Sequence, residues 1–283
     1  MRPQNPLISA RWLLWAFGIV IVLAAFCAYA TLCLLFYQGQ WQMVFHPSRK
    51  ITATPTSANL KYEDIQFDYT ETGTPQLNGW WLFADPASLY AHDTILYLHD
   101  GKDSLSDYVQ QIADLHALGI NVFVFDYQGF GKSTGAHPTE RQATQDTLAA
   151  WSYLTDTRRI TSQNIMIYGR GVGASLAAEL AAKHASAGLI LEEVNQPALE
   201  IVKADPRAKL LPLSLLLKEK LDPSASLASL QTPKLFLSRE QAALRTQQLY
   251  QLSAFPKEYF DLSHADAKTY AETLRRFFDE TLR

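Results

Sequence analysis

The chain is poor in cysteine, with two in 283 residues, and Cys27 and Cys33 both fall inside one uncharged apolar stretch. The remainder can form no disulfide, so cysteine usage says nothing about its redox compartment. There is no basic stripe of the kind that binds nucleic acid and no acidic tail that would stay disordered, and the net charge is only −3. Internal repeats and low-complexity segments are absent too. What is left, 48% hydrophobic and 19% charged, is an ordinary globular composition with enough apolar side chains for a sizeable core.

Residues 12–37 contain no charge at all. A helix rising about 1.5 Å per residue would cross the roughly 30 Å hydrocarbon core with length to spare, which makes the lipid bilayer a partner. The expected layout is an N-terminal flank at 1–11, a transmembrane helix at 12–37, a connector at 38–60 and a soluble domain at 61–283. Trp12 and Trp15 would sit at one interface, and Phe36, Tyr37 and Trp41 at the other. A cleaved signal peptide competes, because Ala28-Tyr29-Ala30 has the small-x-small form, but residues 32–36 prolong the apolar run beyond it. Arg2, Arg11 and the amino terminus lie closer to the span than Arg49 and Lys50, which favours a soluble domain outside the cytoplasm.

From residue 61 onward, short apolar runs alternate with helical stretches. The runs at 62–69 and 77–83 flank Thr72-Gly73-Thr74-Pro75 and read as a hairpin. Six more follow at 94–98, 121–125, 164–167, 188–191, 234–237 and 258–262. Eight strands with crossover helices predict an α/β fold with one doubly wound, mostly parallel sheet and an antiparallel start. Thr139 and Gln142 are spaced as a capping box ahead of a helix carrying Leu148, Trp151 and Leu154 on its core face. Residues 196–230 break the alternation with Pro197, Pro206, Pro212 and Pro223 and the leucine-rich run at 210–217. They read as a small cap, a packed helix pair or a membrane-touching surface.

In such sheets the site lies beyond the carboxyl ends of the strands. There the sequence places His99-Asp100-Gly101, Asp126-Tyr127, Gly171, Glu192-Glu193, Ser238-Arg239 and His264. One absence stands out. The strand at 164–167 runs into Tyr168-Gly169-Arg170-Gly171-Val172-Gly173-Ala174-Ser175, where a G-x-S-x-G elbow would expose a serine over the sheet, with the next N–H, here that of Val172, turned to an oxyanion. The middle residue is Gly171, and a glycine-rich βα turn can equally be purely structural.

The motifs resemble the alpha/beta-hydrolase superfamily, in particular its single-span, membrane-anchored branch with a serine-aminopeptidase-like domain. The likeness rests on Met43-Val44-Phe45-His46-Pro47-Ser48 after the anchor, on Leu77-Asn78-Gly79-Trp80-Trp81, and above all on the run from Val124 to Gly135, close to D-Y-R-G-F-G-x-S-x-G. In that last run the glycines turn the chain, and Asp126 is expected to accept loop N–H groups. The resemblance implies the alpha/beta-hydrolase fold; no cofactor and no metal are expected.

It also implies which residues should be catalytic. Active members carry serine where this chain has Gly171, and an aspartate in an H-G-x-x-D segment where this chain runs Ser238-Arg239-Glu240-Gln241-Ala242, with Ala242 at the aligned position. Their H-G-N-x-G loop, which donates an oxyanion N–H, is here His99-Asp100-Gly101-Lys102-Asp103. Only the base persists, as His264. Without a hydroxyl no acyl-enzyme forms, and an ionised Asp100 would oppose the charge an oxyanion pocket stabilises.

Substitutes can be named. Ser175, one turn into the helix, reads as a buried helix serine, and Glu192, Glu193 or Glu240 could orient His264 in place of the lost acid. Asp100, Asp103, Glu192 and His264 could instead surround a metal, though one histidine among scattered carboxylates is a weak set of ligands. The expectation is a membrane-anchored hydrolase-fold protein without standard serine-hydrolase activity that binds a small-molecule ligand or protein partner at the degenerate cleft. The alternatives are an esterase- or peptidase-type hydrolase with a non-standard nucleophile, and a structural partner in a membrane complex.

Overall fold

The computed structural model describes residues 9–240 and 242–282. Arg2, counted above among the amino-terminal charges, lies outside the described residues, as does Gln241.

Helix α1 (Ala10–Gly39) starts at Ser9, whose Oγ accepts the N–H of Trp12 at 3.3 Å. It overruns the expected 12–37 at both ends and tightens into a 3₁₀ turn at Gln40–Met43. Its apolar window has a mean hydropathy of 2.7 and is wholly unburied, so the helix is long and apolar enough to cross a membrane.

The next residues are more than a connector. Phe45 is buried in the core, His46–Pro47 pairs in parallel with Lys102–Asp103, and the His46 N–H donates to Gly101 O at 2.7 Å. Gly131 N donates to Ser48 O at 2.8 Å. The chain leaving α1 is thus stitched to the loop after one central strand and to the glycine-rich loop after another.

The main sheet contains β1 (Glu63–Tyr69), β2 (Pro75–Leu82), β3 (Tyr90–Leu98), β4 (Ile120–Asp126), β5 (Ile165–Arg170), β6 (Gly188–Glu192), β7 (Lys234–Ser238) and β8 (Lys257–Asp261). Their spatial order is β1-β2-β4-β3-β5-β6-β7-β8. The β1–β2 and β2–β4 pairs are antiparallel and all the others are parallel, as the sequence predicts. The central strands are apolar on both faces because helices cover both. Phe123 and Phe125 of β4 face α3 (Glu140–Ser152) and α4 (Val172–Lys183). Their neighbours Val122 and Val124 share the opposite core with Ile112 and Leu115 of α2 (Val109–His116) and with Leu274, Phe277 and Phe278 of the C-terminal helix at Ala267–Thr281. Helix α3 is capped as expected, with the Gln142 N–H donating to Thr139 Oγ1 at 3.3 Å.

The prolines cut residues 196–230, the expected cap, into short helical pieces and not a packed helix pair. Pro197, Pro212 and Pro223 sit immediately before α5 (Ala198–Lys203), α6 (Leu213–Leu216) and α7 (Ser224–Ser229), and Pro206 opens a 3₁₀ turn at Pro206–Leu210. Glu140 at the start of α3 holds the far end of the cap. Its carboxylate accepts the N–H groups of Lys220 and Leu221, and its own N–H donates to Glu219 Oε2 at 2.6 Å. The sheet edge is completed by α8 (Ala243–Leu252) and α9 (Ala267–Thr281).

Candidate functional site

The elbow persists without its side chain. Gly171 adopts φ +60° and ψ −119° between β5 and α4, a conformation that strains any residue with a Cβ, and its N–H donates to Glu192 O at 3.0 Å. A Cβ built on Gly171 would lie 2.2 Å from Asp100 Oδ1 and 2.3 Å from Asp100 Cγ. The Asp100 carboxylate therefore fills the volume that any side chain at Gly171 would need.

The same oxygen is held by three N–H donors. Asp100 Oδ1 accepts the N–H of Gly101 at 2.7 Å, the N–H of Val172 at 2.9 Å and Asn195 Nδ2 at 3.1 Å. Two backbone N–H groups on either side of the elbow converge on one point, the geometry that stabilises a tetrahedral oxyanion. Here the point is taken by the chain's own carboxylate, at the N-terminus of a twelve-residue helix whose dipole favours negative charge. The resemblance implies Asp100 as an opponent of such a pocket; in the structure its carboxylate accepts the three N–H groups. Asn195, the third donor, carries no motif in the sequence and was reachable only as a residue just beyond β6.

His99 lies beneath this loop, fully buried against Tyr108, Tyr127 and Phe130. Its Nδ1 is 2.6 Å from Asp100 O, and its Nε2 faces Asp126 Oδ1 at 3.8 Å without a hydrogen-bond partner. Burial lowers its pKa to about 4, against the smaller raising effect of the Asp100 carbonyl. Asp126 accepts Leu105 N at 3.0 Å, and burial raises its carboxyl to about 7 against that bond.

The two shifts act oppositely on stability. Between pH 4 and 6.5 the unfolded chain binds more protons at His99, so that contribution grows as pH rises. Between pH 3.8 and 7 the folded chain holds the Asp126 proton more tightly, so that contribution is lost as pH rises. Asp126→Asn is expected to make the slope of stability against pH more positive between pH 4.5 and 6.5, by at most about 1.4 kcal/mol per pH unit. Thermal melts across that range check this; an unchanged slope would contradict it.

Glu192 is buried at the end of β6 and is not poised to orient a histidine. Its Oε2 accepts Tyr168 OH at 2.5 Å and Gln111 Nε2 at 2.8 Å, and burial raises its pKa despite the nearby Arg170. Gln111 Oε1 in turn accepts Tyr97 OH and Arg170 Nη1, and Tyr168 shares a hydroxyl contact with Tyr270. Arg170 and Arg239 both reach Glu193. These side chains form a hydrogen-bonded polar floor beside a cleft of about 640 Å³ lined by Tyr108, Gln111, Arg170, Arg239 and Tyr270. Gln111 and Tyr270 are invisible to motif reading because helices far apart in the chain supply them.

His264 is exposed in the turn after β8, near Asp261, and no hydrogen bond or ion pair joins it to Glu192 among the described residues. The expected pairing of Glu192 with His264 is therefore not made, since burial has drawn the carboxylate to Tyr168 and Gln111. Ala242 caps α8 and Glu240 is exposed. Ser175 is buried one turn into α4, where its hydroxyl donates to Leu221 O at 3.1 Å. Among the described residues, no three His, Cys, Asp or Glu side chains are grouped as a metal would need.

An elbow after β5, oxyanion donors after β3 and the order β1-β2-β4-β3-β5-β6-β7-β8 together define an alpha/beta-hydrolase fold. The chain belongs to the family described as serine aminopeptidase, S33, whose model matches residues 90–253. Protein bem46 of Schizosaccharomyces pombe is 30% identical over 148 residues, which are 51% of this chain and 48% of bem46, so about half of that relative is spanned. An uncharacterized protein of Mycobacterium tuberculosis is 24% identical over 274 residues, covering 93% of this chain and 95% of its own length. Among solved structures, the Pyrococcus furiosus esterase Pf2001 superposes with a TM-score of 0.62 over 85% of this chain and 99% of the esterase, at 17% identity, a likeness of fold alone.

Proposed function

We propose that this protein is a membrane-anchored alpha/beta-hydrolase-fold protein that does not run serine acyl transfer and instead binds a ligand or partner at the former catalytic cleft. One observation carries the reading: Asp100 Oδ1 stands where both the nucleophile and the substrate oxyanion would be, on the N–H groups of Gly101 and Val172. A substrate carbonyl would have to expel a carboxylate oxygen held by three donors before it could be polarised. The buried polar floor and the two arginines suit a polar ligand in the adjoining cleft, whose orientation a few fixed polar groups would set. Helix α1 supplies the anchor, and the charge flanking it favours a soluble domain outside the cytoplasm.

The test uses the full chain purified in detergent with short-chain p-nitrophenyl esters and a fluorophosphonate probe. Turnover is expected to equal that of His264→Ala, and no label is expected. Ester hydrolysis lost on His264→Ala, or labelling lost on Ser175→Ala, would instead establish a hydrolase with a non-standard nucleophile.

A further inference from the structure

Helix α1 is not free along its whole apolar length. Tyr29 OH donates to Leu210 O at 3.1 Å, Gln40 Nε2 donates to Leu216 O at 3.1 Å, and Gln40 Oε1 accepts Lys218 N at 2.7 Å. The Lys218 ammonium lies 3.9 Å from the centre of the Tyr37 ring. The cap is thus fastened to α1 from Tyr29 to Gln40, the outer part of the uncharged run.

Length arithmetic gives this a consequence. Residues 12–37 would extend about 39 Å as a helix, well beyond the roughly 30 Å of a hydrocarbon core, whereas residues 12–29 extend about 27 Å and match it. If residues 12–29 span the core, the cap contact at Tyr29 falls at the membrane surface.

The cap is built for that level. Leu210 and Leu215 are 69% and 82% exposed, with no protein over them. Between α1 and the cap runs an apolar groove of about 430 Å³ lined by Leu32, Phe36, Met43, Ala208, Leu210 and Leu211, with the Asp205–Arg207 pair at its rim. Residues 203–220 carry five basic side chains (Lys203, Arg207, Lys209, Lys218, Lys220) and two acidic ones (Asp205, Glu219), in a chain whose net charge is −3. Exposed leucines flanked by lysines are the signature of a surface that dips into an anionic leaflet, each basic group adding about 1 kcal/mol near it.

We infer that the cap face made by residues 205–211, the part fastened at Tyr29, seats in the lipid leaflet that α1 leaves, with Leu210 among the upper acyl chains, Leu215 farther out at the level of Gln40, and the groove open to one of those chains. The occupant is lipid. The cap is then a second membrane contact that fixes the height and tilt of the domain, so that the cleft is held close to the bilayer instead of swinging on a single helix. This rests on the reading of α1 as an anchor.

The experiment is depth-dependent quenching in the full chain reconstituted into 3:1 phosphatidylcholine:phosphatidylserine vesicles. Single environment-sensitive labels are placed by Leu210→Cys, by Ile19→Cys within α1 and by Thr157→Cys beyond the far end of α3, in a Cys27→Ser, Cys33→Ser background. With nitroxide high on the lipid acyl chain, the label at 210 is expected to be quenched at least fivefold more than the label at 157. A label at 210 quenched no more than at 157, with the label at 19 quenched, would overturn the cap inference and leave the anchor standing. That pattern includes a label shielded from lipid by a second copy or another protein. A label at 19 that lipid nitroxides do not quench would remove the anchor, and the cap inference with it.

Discussion

Replacing Gly171 by serine is expected to cost about 3 kcal/mol of stability and to leave the protein unlabelled by a fluorophosphonate, although the substitution restores the G-x-S-x-G pattern. Two effects add. A residue with a Cβ at φ +60°, ψ −119° carries about 1–3 kcal/mol of backbone strain. The new Cβ also overlaps Asp100, lying 2.2 Å from Oδ1, so the carboxylate must leave the N–H groups of Gly101 and Val172 and the amide of Asn195. Thermal unfolding in detergent reads the first expectation and gel fluorescence the second. A Gly171→Ser protein as stable as wild type and promptly labelled would show that Asp100 swings away at little cost.

Gly173→Ala should be at least as damaging, for a reason unrelated to chemistry. Helix α4 crosses the end of β3 so closely that a Cβ at 173 would lie 2.1 Å from Leu98 O and 2.6 Å from His99 O. Those are backbone atoms of the central sheet and of the Asp100 loop, so neither can rotate aside. The helix would have to lift from the sheet, which exposes part of the packing of Ala174 and Ala177. A loss of about 3 kcal/mol or more is expected, a fall of roughly 10 °C in melting temperature for a domain of this size. A variant melting within 2 °C of wild type would mean the approach is looser than the coordinates place it.

The fold was legible because it is written locally. Each central strand is a short apolar run, the glycines at 169 and 173 mark the tight crossing of β5 and α4, and the capping pair Thr139–Gln142 marks the start of α3. Other features were legible only in part. Prolines flag residues 196–230 as irregular, yet nothing in the leucine run says that Gln40 and Tyr29 fasten it to α1. The connector hides its role for the same reason, since Val44 and Phe45 acquire meaning only when residues 46–47 pair with 102–103.

The site shows the limit most clearly. A missing serine at 171 and an extra carboxylate at 100 read as two separate defects in sequence. They become one arrangement because β3 and β5 are neighbours, with Leu98 opposite Gly169, which brings the two loops together above the sheet. The space a side chain at 171 would need is the space the Asp100 carboxylate takes. Glu192 fails as a substitute acid for an equally spatial reason: burial turns it towards Tyr168 and Gln111 while His264 faces solvent.

That mutual accommodation is open to one direct measurement, a double-mutant cycle on unfolding free energy with Asp100→Gly, Gly171→Ser and the pair together. If the carboxylate fills the nucleophile's place, removing it first relieves the overlap, so the double variant should be about 1–3 kcal/mol more stable than the sum of the single losses. Losses that add within about 0.5 kcal/mol would contradict the account, because the two positions would then not be competing for the same space.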